Sequence, residues 1–98
     1  MEDAMKNVKK HLELLGLRAE DKVTGLKGVI DCISFDLYGC IQAVLRPSAK
    51  EDGELLKGTW MDVSRLRVTG KKPVMNLPDY DAGYVSEGGK GPADKPIM

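Results

Sequence analysis

Apolar residues change their spacing twice along this chain, and each change marks a boundary. Between residues 3 and 16, Met5, Val8, Leu12 and Leu15 recur at intervals of three, four and three. That spacing lines one face of a helix, and Met1 extends the stripe by a turn. Asp3 near its start complements the helix dipole, and Gly16 is placed to end the helix in a left-handed conformation. From Asp21 the period shortens. Asp21–Gly25 reads as a short strand entering a turn, and Leu26–Gly28 leads into Val29–Phe35, rich in β-branched and aromatic residues. Asp36–Gly39 turns the chain. In Cys40–Arg46, Ile41, Ala43 and Leu45 alternate with Cys40, Gln42 and Arg46, with Val44 interrupting the polar side. Pro47 stops that strand because it has no amide to donate. Residues 48–57 are polar, with a loop tip at Glu51–Gly53. Gly58–Val63 is a further strand, Ser64 a short turn, and Arg65–Thr69 the last strand.

Five short strands in about fifty residues favour a strongly bent small barrel, since closure removes exposed sheet edges. The predicted organisation is a helical segment at 1–20, a β-domain at 21–69 and an arm at 70–98. The arm holds Pro73, Pro78, Pro92 and Pro96 and several glycines, with Val74, Met75, Leu77, Tyr80, Tyr84 and Val85 as spaced apolar points. It lacks the apolar content to offset its own ordering entropy. Two arrangements fit: a disordered end, or an extended arm placing Leu77, Tyr80 and Tyr84 on a neighbouring subunit. The helix stripe of Met5, Val8, Leu12 and Leu15 likewise either docks on its own domain or pairs with a second copy.

Composition narrows the chemistry. Fifteen basic and fifteen acidic side chains cancel over the 98 residues, and they balance locally too, so no basic excess marks a phosphate-binding element. No apolar stretch approaches the ~20 residues that span a bilayer. The two cysteines, Cys32 and Cys40, with no secretory signal, indicate a reduced, cytoplasmic protein. They flank a turn and could face each other on adjacent strands; the plain reading is two buried free thiols. Their spacing fits neither a redox C-x-x-C nor a zinc site. His11, the only histidine, falls off the apolar stripe and toward solvent. A single imidazole builds neither a triad nor a histidine-rich metal site. Asp31, Asp36, Asp52 and Asp62 show no pairing by spacing, Asp79 and Asp81 lack the other oxygens of a calcium loop, and Gly88–Pro92 is no phosphate-binding loop. No enzyme activity, metal or cofactor is therefore expected. Arg65 and Arg67 alternate on the outward face of the last strand and Arg46 lies on another. With Tyr38 and Trp60 they form the best candidate binding surface, although the plainer arrangement has Trp60 filling the core and the arginines solvated.

The last two expected strands are separated only at Val63–Ser64, which resembles SH3-like barrels, where a single 3₁₀ turn divides strands four and five. Asp21–Gly28 likewise resembles the opening of SH3-like and KOW-like barrels. The longer pattern Asp36–Gln42, Gly58–Val63 and Arg65–Leu66 is similar to a group of small proteins encoded in bacteriophages and prophages. The likeness covers roughly residues 21–69. It implies a mainly β, SH3-like five-stranded barrel and a phage-associated accessory or structural role in the bacterial cytoplasm or the virion. It supplies no catalytic residues. The expected function is non-catalytic binding through protein–protein contacts as a homo-oligomer, with phage or host proteins as further partners. A nucleic-acid- or nucleotide-binding module is the alternative.

Overall fold

The computed structural model describes residues 2–80, with side chains from Lys6 onward. Helix α1 (Glu2–Leu12) is followed by β1 (Arg18–Asp21), β2 (Lys27–Phe35), β3 (Ile41–Arg46), β4 (Thr59–Asp62), a 3₁₀ turn η1 (Val63–Arg65) and β5 (Leu66–Val68). The strands form one antiparallel sheet in the order β4-β3-β2-β1-β5. The described residues are mainly β with one short helix, as the change of apolar period predicts. The sheet is open, not the closed barrel expected: β4 and β5, only four and three residues long, are its two edges.

The first strand lies earlier in sequence than its pattern suggests. It ends at Asp21, where it was expected to begin, because the Asp21 carboxylate turns the chain. It accepts hydrogen bonds from the amides of Val23 (3.1 Å) and Thr24 (3.3 Å) and from the Thr24 hydroxyl. Local bonding of this kind competes with the strand ladder. The helix ends at Leu12 and tightens into turns through Leu14 N–H to His11 O and Leu15 N–H to Leu12 O. Gly16 closes them at φ +87°.

Register explains why β2 shows no clean alternation. Ile30 lies opposite Leu45 and Ile33 opposite Ala43, although Ile30 and Ile33 are three residues apart; the ladder shifts between Ile30 and Cys32. This β-bulge spends one residue, Asp31, and returns both isoleucines to one face. On that face Ala19, Ile30, Ala43, Leu45 and Met61 form the buried core, flanked by Leu14, Leu15, Leu26, Ile33, Val63 and Leu66. Burying side chains such as Ile30 and Leu45 contributes about 1.5–3 kcal/mol each. On the opposite face Val44 is also buried, with Cys32 and Trp60 directly across from it on the neighbouring strands.

Strong coiling brings β2 against the end of β3. A Cβ on Gly28 would lie well inside van der Waals contact distance of the Arg46 carbonyl oxygen, with the carbonyl carbon 2.7 Å away. Since the obstacle is backbone, it cannot rotate aside. Gly28→Ala is expected to destabilise the domain by about 1–3 kcal/mol, read as a lower midpoint in urea unfolding with an unchanged slope.

Candidate interaction surface

Arg65 was expected on an outward strand face. It lies instead in η1, which Asp62 caps by accepting a bond from the Ser64 amide at 2.8 Å. Its guanidinium grips Asp21 with two bonds, Nε to Oδ1 at 3.0 Å and Nη2 to Oδ2 at 2.6 Å. Asp21 is 1% exposed. A buried carboxylate needs its lone pairs satisfied, and here the Arg65 fork, two amides and a hydroxyl do so. The Arg65 guanidinium, followed by the Thr24 hydroxyl, holds the Asp21 carboxyl far below the usual carboxylate range, outweighing the opposing effect of burial. Asp21 in turn raises the Arg65 pKa. The main chain repeats the link, with Lys22 N–H donating to Arg65 O at 2.7 Å. Arg65 is therefore a clamp between the β1–β2 turn and η1.

The other two candidate arginines are also engaged. Arg67 Nη2 meets Glu20 Oε1 at 2.8 Å, which lowers the Glu20 pKa. Arg46 Nε meets Asp31 Oδ2 at 2.6 Å, and its Nη1 donates to the Leu56 carbonyl at 3.4 Å. The ladder places Arg46 and Trp60 on one face, opposite the core. Trp60 is half exposed and so does not fill the core. Tyr38 stands apart from them, at the far end of β3, in the β2–β3 turn. The five residues thus do not converge. Sequence spacing carried no sign of the acids that pair with the arginines, because Asp21 and Arg65 are 44 positions apart.

Among the described residues the β2–β3 turn carries the most exposed large apolar side chains. Asp36 Oδ1 accepts from the amides of Tyr38 (2.9 Å) and Cys40 (2.8 Å), and Gly39 supplies the left-handed residue at φ +91°. On that fixed turn Leu37 is 90% exposed and Tyr38 86%. Leu37 was not among the predicted contacts; its place beside Tyr38 at a turn tip was the available signal. At the turn's base a cleft of about 240 Å³ is lined by Asn7, Val8, Phe35, Asp36, Gly39, Cys40 and Ile41. Helix α1 therefore packs over this end of the sheet. His11 is half-buried rather than solvent-facing: its ring meets the edge of Phe35 at a centroid distance of 6.3 Å, and Nδ1 lies 2.7 Å from the Asn7 carbonyl.

Of the helix stripe, Val8, Leu12 and Leu15 are half-buried, and Leu14 joins Leu15 against the core. The side chain of Met5 lies outside the described residues, as does Tyr84. Leu77 and Tyr80 line a second cleft, of about 220 Å³, facing Leu15, Gly16, Val29 and Ile30 of their own chain. Cys32 pairs across the ladder with Val44, so it does not face Cys40; both thiols are free, one half-buried and one exposed. Among the described residues no three histidine, cysteine or acidic side chains group as metal ligands, and no helix is long and apolar enough to cross a membrane.

The depressed carboxylates fix the sign of the acid response. Asp21, Glu20 and Asp62 have folded pKa values below their ordinary ones. In acid the unfolded chain binds more protons, so the stabilisation is full above the ordinary carboxylate range near 4 and drains as pH falls below it. Tm should be level near neutrality and drop steeply below about pH 4. Asp21→Asn should lower Tm by about 10 °C or more at neutral pH, with the gap to the parent narrowing in acid. Thermal melts by circular dichroism across pH measure both. Comparison with protein-family models, curated proteins and solved structures returns no match for this chain.

Proposed function

We propose that this chain is a non-catalytic binding or structural protein that works through protein–protein contacts, as a homo-oligomer. The observation that carries this reading is the β2–β3 turn. Leu37 and Tyr38 are 90% and 86% exposed on a turn whose backbone Asp36 fixes. A protruding pair of large apolar side chains on a rigid support loses little entropy on docking, the property expected of an interface anchor. The SH3-like classification is part of the proposal. Supporting it are the strand order, with β1 between β2 and β5, and the 3₁₀ turn between β4 and β5. The pattern over Asp36–Gln42 and Gly58–Val63 supports a phage or prophage origin, and with it a site of action in the bacterial cytoplasm or the virion.

Nucleic-acid binding is the second reading, favoured by Trp60 and Arg46 sharing a face. Against it, Arg46, Arg65 and Arg67 each already hold a carboxylate. A phosphate would have to displace an intramolecular partner at every one.

Light scattering over a range of protein concentrations is expected to show a mass that rises with concentration. The Leu37→Ser/Tyr38→Ser variant, unaltered in circular dichroism, should need about tenfold or more higher concentration to associate. A mass fixed at one chain throughout rejects the oligomer. Trp60 fluorescence is expected to stay constant during titration with single- and double-stranded oligonucleotides at low salt; saturable quenching would transfer support to the second reading.

A further inference from the structure

After β5 the chain is tied back twice. Thr69 N–H donates to Arg18 O and Val74 N–H to Gly16 O, both at 2.8 Å. Between these bonds run Gly70, Lys71, Lys72 and Pro73. Pro73 crosses directly over Gly16, where a side chain would meet it: a Cβ there would lie 3.1 Å from the Pro73 Cβ. Beyond this crossing Val74, Met75, Leu77, Pro78 and Tyr80 form one wall of the cleft whose other wall is Leu15, Gly16, Val29, Ile30 and Asp31.

We propose that Pro73–Tyr80 is an exchangeable strap. It seats on the groove at Leu15, Val29 and Ile30 of its own chain when the protein is dilute. In the oligomer it takes the same seat on a second copy. This inference rests on the homo-oligomer reading above and names the element exchanged.

Three observations carry it. The seat is apolar and already holds this peptide, so the occupant it fits is on view, and a second copy supplies an identical one. The seat is loosely filled: Val74, Met75, Leu77 and Tyr80 stay 48%, 70%, 44% and 55% exposed, and about 220 Å³ separates the two walls. Protein interiors are close-packed, so a strap this open gives up few contacts when it lifts. Finally, the hinge is short. Gly70–Pro73 reaches about 14 Å when extended, and the adjacent exposed Lys71 and Lys72 favour the extended form through mutual repulsion. Exchange keeps every strap contact and alters only the hinge.

The test is a full chain lacking Lys71 and Lys72, whose strap falls about 7 Å short of its own seat. The shortened protein is expected to be a dimer by light scattering. Isotope-filtered NMR on mixed labelled and unlabelled chains should show contacts from Leu77 and Tyr80 of one copy to Leu15 and Val29 of another. Adding Leu77→Asp and Tyr80→Asp should return it to a monomer. A shortened chain that stays monomeric, or dimerises without those contacts, overturns the exchange. Should the shortened chain fail to fold, the same NMR measurement on the unmodified protein at high concentration decides: strap contacts found only within one chain reject the proposal. If the unmodified protein associates while Leu77→Asp/Tyr80→Asp leaves its mass unchanged, exchange fails and the oligomer reading survives. If the shortened chain exchanges and the unmodified one is monomeric throughout, the seat is right and the native oligomer is not.

Discussion

The buried carboxylate of Asp21 is the constraint around which this small domain is arranged. It sits where β1 ends, and its ligands come from the turn that follows and from η1 near the other end of the β-domain. A core built from Ala19, Ile30, Ala43, Leu45 and Met61 is thin for a chain of this length. Apolar burial alone would hold the two edge strands weakly. The ionic clamp ties the β1–β2 turn to the segment joining β4 to β5, so the open sheet keeps its curvature without a closing ladder. Removing Arg65 would strand the buried Asp21 carboxylate as an unpaired ion against the core.

That arrangement bears on how the surface is to be understood. Arginines on a β-domain invite an anion-binding reading, yet each of the candidate three is neutralised within the chain. Large apolar side chains also stand at the surface: the Leu37–Tyr38 turn, the exposed half of Trp60, and Val74, Met75, Leu77 and Tyr80 after β5. Ion pairs hold these three arginines to their own chain, while lysines such as Lys22, Lys27, Lys57, Lys71 and Lys72 stay exposed. The engagement of these arginines is why association is proposed here ahead of electrostatic capture.

Much of the framework was legible in the sequence because it is local. The helix stripe, the turn at Asp36–Gly39, the stop at Pro47 and the short turn at Val63–Ser64 depend on neighbours within a few positions. Arg18–Asp21 was hidden because its inward residues are Ala19 and Asp21, which carry no apolar signal. Closure was misjudged because pattern reports strands and not whether the last meets the next. Among the proposed site residues, Tyr38 and Trp60 both lie exposed, and the alternative in which Trp60 fills the core does not hold. The roles of Arg46, Arg65 and Arg67 depended on acids distant in sequence. Cys32 and Cys40 flank the turn unevenly: it centres on Tyr38, so Phe35 pairs with Ile41 and Cys32 with Val44.

The same bulge has a consequence for how β2 tolerates change. Inward positions are even-numbered up to Ile30 and odd-numbered from Ile33, so the strand consists of two half-strands of opposite parity joined at one residue. Losing that residue would not shorten β2 so much as turn one half inside out, sending either Ile30 or Ile33 into water. Length polymorphism there is far more hazardous than in the polar loop after Pro47, where an added residue only lengthens a detour.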